Sequence, residues 1–263
     1  MKKNVFLEKF EALTRFIMVY GFSKVLPLYI VAEYPRSGGS WVSQMLSEYL
    51  NTPFPRNQFP KFRSSIMHGH YLYFPTMKNV FVVVRDGRDV MVSYYYHSLF
   101  KNDRCNARLV EITRRELHCD DYNNIRENLP KFIEYKFTRK KYPRFTWSEF
   151  INSWIDKDVP IIKYENLLQD PVEELSKAIH KVCRVKPDKD RLKQIAKKYS
   201  FKKVAKRNPG VENKHSFLRK GIAGDWKNKF SREACEIFNL FAGRELIKLG
   251  YEKDDSWVLD YSC

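Results

Sequence analysis

The 263-residue sequence has no Cys-x-x-Cys pair, no Gly-x-x-x-x-Gly-Lys-Ser/Thr loop and no internal repeat. The first absence speaks against zinc ribbons and dithiol redox motifs, and five widely spaced cysteines fit a reducing compartment. The second excludes a Walker A loop, and the third a solenoid. No stretch reaches the roughly 18 uninterrupted apolar residues of a membrane span. The most apolar N-terminal run, residues 16–32, is broken by Lys24 and Pro27. Met1-Lys2-Lys3 mimics the basic start of a signal segment, but Glu8 and Glu11 follow and no convincing small-residue cleavage site does. A cytoplasmic protein is expected. Its N-terminal helix, within residues 1–27, packs on the core or lies on a membrane or a partner. Glycine (10) and proline (12) are too few for a collagen-like or low-complexity chain. Acidic residues are scarce, 31 against 48 Lys and Arg, which leaves +17. That charge calls for an anionic partner: nucleic acid, a membrane surface, a polyanion or a phosphate-rich cofactor.

What is present is a core. Hydrophobic residues make up 43% and aromatics 15% of the chain, which excludes a mainly disordered protein. Three short apolar runs read as buried parallel strands: residues 28–32, 80–84 and 159–163. Each precedes a polar turn and a helical pattern, at residues 41–50, 90–100 and 172–183. Strand–loop–helix units in series predict an α/β fold, with helices flanking a central parallel sheet. Ligands of such sheets bind beyond the C-terminal strand ends. The loops at 33–40, 85–89 and 164–169 are therefore the first candidates. Residues 101–147 are charged and aromatic, read as helices and loops covering the site. Residues 180–230 hold 17 Lys/Arg and 4 Asp/Glu, most of the chain's surplus.

Tyr34-Pro-Arg-Ser-Gly-Gly-Ser-Trp41 has the layout of a phosphate cradle. Gly38 and Gly39 tolerate positive φ, so backbone N–H groups can face an anion. A helix beginning at Ser40 and Trp41 presents its positive end. Arg36 adds a fixed charge with a planar fork of donors. A Gly-Gly turn between strand and helix is also ordinary chain geometry. Arg85 ends the second apolar run, and Asp86 and Asp89 suit turn or N-cap positions. Ser93 falls about one turn into the following helix, so Arg85 and Ser93 can grip one anion. Pairing of Arg85 and Arg88 with the two aspartates on the surface is the plain alternative. Tyr164 packs a purine or merely covers the sheet edge. Arg219 and Lys220 adjoin Gly221, where backbone N–H groups can approach an anion.

Together these segments resemble the sulfotransferase family that uses 3′-phosphoadenylyl sulfate. The likeness covers residues 28–99 and 160–231. The first loop is similar to the family's YPKSGTTW segment, and Arg85-Asp-Gly-Arg-Asp-Val-Met-Val-Ser-Tyr-Tyr to its RNPKDVAVSYY. Tyr164-Glu-Asn-Leu-Leu-Gln-Asp-Pro resembles YEDLxxDP, and residues 217–226 resemble FxRKGxxGDW. The resemblance implies one domain over 1–263, with a P-loop-like fold related to nucleotide kinases. It implies that Arg36, Ser37, Gly38, Gly39, Ser40 and Trp41 surround the 5′-phosphosulfate. By the same likeness Arg85, Ser93, Arg219, Lys220 and Gly221 hold the 3′-phosphate, while Trp41 and Tyr164 contact adenine. Tyr199-Ser200-Phe201 is similar to the family's TSF segment, which adds Ser200 and Phe201 to the adenine pocket. Adenosine 3′,5′-bisphosphate is the implied leaving product, and no metal is implied.

Sulfuryl transfer needs in-line geometry and a cation at the leaving oxygen. Arg36 supplies the charge without serving as an acid. Histidine suits the general base. In Met67-His-Gly-His-Tyr71 His70 is the closer match to the family's THLP-like segment, and His68 is the alternative. Exposed imidazoles in a turn are the bland reading. Residues 101–158 stand where the family shapes its acceptor pocket, yet match none of its motifs. Their aromatics line a pocket or form core. The segment Lys227…Glu236 departs from the family's dimer motif at Ser231-Arg232, so that dimer mode is not expected. The acceptor is expected to be a small molecule or glycan offering a hydroxyl, or an amine, with no nucleic acid partner. The alternatives are a basic nucleic-acid- or polyanion-binding module and a non-catalytic sulfotransferase-like scaffold.

Overall fold

A computed structural model describes residues 5–56, 58, 63–104 and 106–260. In chain order it begins with α1 (Val5–Gly21), β1 (Leu28–Glu33), α2 (Gly39–Tyr49), β2 (Ser65–Gly69), β3 (Val80–Val84) and α3 (Gly87–Leu99). Then come α4 (Ala107–Glu116), α5 (Ile125–Thr138), α6 (Trp147–Trp154), β4 (Ile161–Lys163), α7 (Tyr164–Gln169) and α8 (Pro171–Cys183). The remainder is α9 (Lys189–Lys198), α10 (Phe201–Ala205), a 3-10 turn at Asp225–Asn228, α11 (Arg232–Lys248) and α12 (Trp257–Asp260).

Each of the three apolar runs holds a strand, the third shortened from 159–163 to Ile161–Lys163, and one further strand was not foreseen. The sheet is parallel throughout, in the order β2-β1-β3-β4. The extra strand β2 carries His68, so the His-Gly-His segment is no simple turn. Val31 pairs with His68 and Ala32 with Gly69. The chain gathers into two compact units, and the whole sheet belongs to the first, residues 1–84 and 153–200. Its core joins Val31, Phe81 and Val83 from the sheet with Met45, Leu46 and Ile179 from α2 and α8. Complete burial of such apolar side chains contributes about 1.5–3 kcal/mol each. Asp170 caps α8 by accepting from the N–H groups of Val172 and Glu173, with Pro171 in the first helical turn. Residues 164–169, read as a loop, form α7 instead.

The second unit, residues 85–152 and 201–263, is helical. Asp86 caps α3 by accepting from the Arg88 N–H. The helix therefore starts at Gly87, earlier than the apolar pattern implied, and Ser93 sits nearly two turns in rather than one. Arg88 is not a surface partner. It is 2% exposed, binds Asp86 at 2.8 Å and Glu252, and lies 3.7 Å over the Trp226 ring. Residues 101–147 are helices and loops as read, and Phe132 and Phe137 are core while Tyr142 is exposed. Cys119, Cys183 and Cys235 are free thiols. Cys105, Cys263 and the Met1-Lys2-Lys3 start lie outside the described residues. Among the described residues no helix is long and apolar enough to cross a membrane.

Lys136 on α5 is buried, donates to the Tyr142 carbonyl at 2.9 Å and lies 4.0 Å over the Tyr94 ring. Burial pushes its ammonium down from 10.5 to about 7. Between those values the unfolded chain binds a proton that the fold rejects, so this group makes stability rise with pH from about 7 towards 10.5. Lys136→Met is expected to remove that rise and to stabilise the fold at pH 6 by about 1–2 kcal/mol. Urea titrations at pH 6 and pH 9 check both effects.

Candidate active site

Glu33, the last residue of β1, organises the candidate site residues of the first unit. Residues two apart on a strand share a face, so Glu33 lies on the same side as Val31, whose register partner is His68. Its carboxylate is buried and accepts from the Gly39 N–H at 2.5 Å and from His68 Nε2 at 2.7 Å. Burial raises the Glu33 carboxyl, but His68, His70 and the Gly39 N–H together hold it below its ordinary value. The phosphate loop comes this close because residue 39 has no side chain. A Cβ there would meet the Glu33 carboxyl carbon at 2.7 Å and His68 Nε2 at 2.9 Å.

His70 follows β2 directly and is exposed. Its Nδ1 faces the Glu33 backbone carbonyl at 3.1 Å. A carbonyl oxygen only accepts, so Nδ1 carries the proton and the neutral ring keeps its basic lone pair on Nε2. His68 has the opposite setting: its Nε2 donates into a buried carboxylate. The two rings are 6.1 Å apart.

The loop itself has the shape of an anion cradle. Gly38, at φ 104°, is the N-cap of α2 and presses on the Tyr164 ring, where a Cβ would come within 2.8 Å. Arg36 holds φ 77°, a left-handed value uncommon for a side-chain-bearing residue. The helix opens at Gly39, one residue before the predicted Ser40. Trp41 and Tyr164, the two rings assigned to adenine, meet edge to face at 6.0 Å. The hydroxyl of Ser37 and the indole N–H of Trp41 are buried with no hydrogen-bond partner among the described residues. Such atoms ordinarily find partners. Ser200 donates to the Lys197 carbonyl at the end of α9.

In the second unit Arg85, Ser93 and Arg219 are all buried. Arg85 donates to the Ile222 carbonyl at 3.0 Å and lies 3.4 Å from Asp89. Arg219 lies 4.7 Å over the Tyr96 ring, on α3 three residues past Ser93. Gly221, at φ 68°, faces the ring of Phe201, which leaves no room for a Cβ. The cations are already answered by carboxylates. Arg219 bonds Glu212 and, at 2.6 Å, Asp225, while Lys220 bonds Asp225 at 2.5 Å. Burial raises Asp225, yet Lys220 and Arg219 bring it below its ordinary value. Arg219 Nε is buried without a hydrogen-bond partner among the described residues. Asp89 was expected in a turn or at an N-cap. It is instead in the first turn of α3, where it accepts from the N–H groups of Gly224 and Trp226 at 2.7 and 3.0 Å. Glu33, Asp89, Glu212 and Asp225 were given no site role from sequence. The available signal was a carboxylate closing an apolar strand and another inside a Gly-Asp-Trp turn.

A family model described as the sulfotransferase domain matches residues 57–250. The chain belongs to the sulfotransferase family. This bears out the enzyme class implied by the four motifs, together with its α/β fold. Sulfotransferase 1E1 of Cavia porcellus is 24% identical over 258 residues, covering 80% of each chain. Human sulfotransferase 1E1 is 29% identical over 175 residues, 61% of this sulfotransferase and 52% of the human protein. The crystal structure of mouse sulfotransferase SULT7A1 complexed with PAP superposes with a TM-score of 0.62 at 19% identity, covering 92% of this chain and 95% of that one.

Proposed function

We propose that this sulfotransferase moves the sulfuryl group of 3′-phosphoadenylyl sulfate onto the hydroxyl, or amine, of a small-molecule or glycan acceptor, with His70 as general base. The observation that carries the reading is the His70 tautomer set by the Glu33 carbonyl. The donor supplies an activated sulfuryl group, and the chain supplies position, charge and a proton acceptor. His70 Nε2 takes the acceptor's proton as the acceptor oxygen bonds to sulfur and the bridging S–O bond breaks. The electron pair leaves on the phosphate oxygen of adenosine 3′,5′-bisphosphate, and Arg36 stabilises that charge without giving up a proton. The orphaned Ser37 hydroxyl and the Gly38–Ser40 backbone fit the 5′ end. Arg85, Ser93, Arg219, Lys220 and Gly221 fit the 3′-phosphate. Trp41, Tyr164, Ser200 and Phe201 fit the adenine.

Thermal unfolding with adenosine 3′,5′-bisphosphate and with a nonspecific DNA duplex, each across a salt series, tests the reading. The expected result is stabilisation by the nucleotide at low micromolar concentration, as ligand binding to the folded state requires. A steep salt-dependent shift with duplex and none with nucleotide marks a nucleic-acid module instead. Transfer of labelled sulfate to an acceptor panel separates an enzyme from a non-catalytic scaffold.

A further inference from the structure

Helix α1 shows solvent a face that a soluble helix ordinarily keeps polar. Glu11, Met18 and Val19 are turned inward, while Phe10, Leu13 and Ile17 are about half exposed. Their spacing of three and four residues makes one stripe. Phe16 and Phe22 are exposed beside it, Val25 follows at 82% exposure, and Phe74 lies across from Tyr20, ring centroids 5.6 Å apart. Among the described residues 10–27 the only charged side chain classed as exposed is Lys24. A contiguous apolar patch of this kind marks an interaction surface.

We propose that this face docks on an anionic lipid bilayer, with α1 lying in the headgroup plane. The charge balance selects the occupant. A chain of net charge +17 repels a second copy of itself and is drawn to anionic lipid. Exposed Lys24 lies between Phe22 and Val25, and exposed Lys78 follows Phe74 by four residues, so ammonium groups can reach headgroup phosphates while apolar rings enter the acyl boundary. The helix is tied to the segment that follows His70. Thr76 donates to the Tyr20 carbonyl at 2.6 Å and Ser23 to the Thr76 carbonyl at 3.0 Å. Docking therefore turns the chain just beyond the histidine pair towards the membrane. The proposal does not depend on the assignment of the base.

Sedimentation of the full chain with vesicles tests it. Pure phosphatidylcholine is compared with phosphatidylcholine containing 30% phosphatidylserine, at 0.15 M salt. Binding to the anionic vesicles, falling with salt, is expected. Leu13→Glu with Ile17→Glu is expected to reduce partitioning at least about tenfold, and Lys24→Glu to weaken it. Both variants should retain the thermal midpoint and the nucleotide-induced shift, since the altered side chains are surface groups. Failure of the full chain to bind anionic vesicles overturns the proposal. So does equal binding by the Leu13/Ile17 variant, which would place the contact on the basic residues 197–207. A dimer seen by light scattering that the same variant dissolves would assign the face to a second copy.

Discussion

His70→Ala is expected to lower sulfuryl transfer by about 10²–10⁴-fold, the usual contribution of a positioned general base. Affinity for adenosine 3′,5′-bisphosphate should stay within about twofold, because the proposed role concerns the acceptor's proton and not the nucleotide. The His70 ring is exposed and its Nδ1 faces a backbone carbonyl, so removing it takes a partner from that neutral carbonyl and not from the Glu33 carboxylate. His68→Ala should behave differently. It takes the donor from a buried carboxylate that burial already disfavours, so fold and loop suffer together. Turnover with each variant, set beside its thermal midpoint and nucleotide affinity, distinguishes them. Full activity in His70→Ala would dismiss it as the base.

Arg219→Ala is the second large effect, and it acts on two quantities. The variant deletes the proposed grip on the 3′-phosphate, so nucleotide affinity should fall at least about tenfold. It also leaves the fully buried Asp225 carboxylate with Lys220 as its remaining ion-pair partner among the described residues. Asp225 loses one of its two cations, so the cost is expected to stay below the roughly 3–5 kcal/mol of a buried charge left with no partner. The double variant Arg219→Ala with Asp225→Asn separates the two effects. Stability should largely return, since the carboxylate charge is gone, while nucleotide affinity should not. Calorimetry for binding and urea unfolding for stability give the two readouts. Affinity unchanged in Arg219→Ala would remove that residue from the phosphate site.

β1 and β3 were legible from sequence because continuous apolar runs need burial on both faces, and the observed strands match them within a residue. β2 was not legible. Only Ile66 and Met67 are apolar within Ser65–Gly69, and pairing along β1 makes that stretch a strand. The loop from Tyr34 to Trp41 was legible because glycines and a strand–helix junction leave the chain few conformations. The start of α3 was misjudged because hydrophobic periodicity ignores the Asp86 cap. The carboxylates of the site were harder still. Asp89 reaches Gly224 and Trp226 across more than 130 residues, and no local pattern carries such a contact. In Glu33 the periodicity signals only where the strand ends. The two histidines it holds come into view once β2 lies beside β1.

Glu33 thus joins functions that sequence keeps apart. One carboxylate fastens the loop and His68, and the same residue's carbonyl sets the tautomer of His70. The loop and the histidines are therefore inseparable to an engineer. A library that varies residues 36–41 while holding 68–70 fixed, or the reverse, samples sequences already filtered by position 33. Productive redesign has to vary the strand end, the loop and the histidine pair as one block.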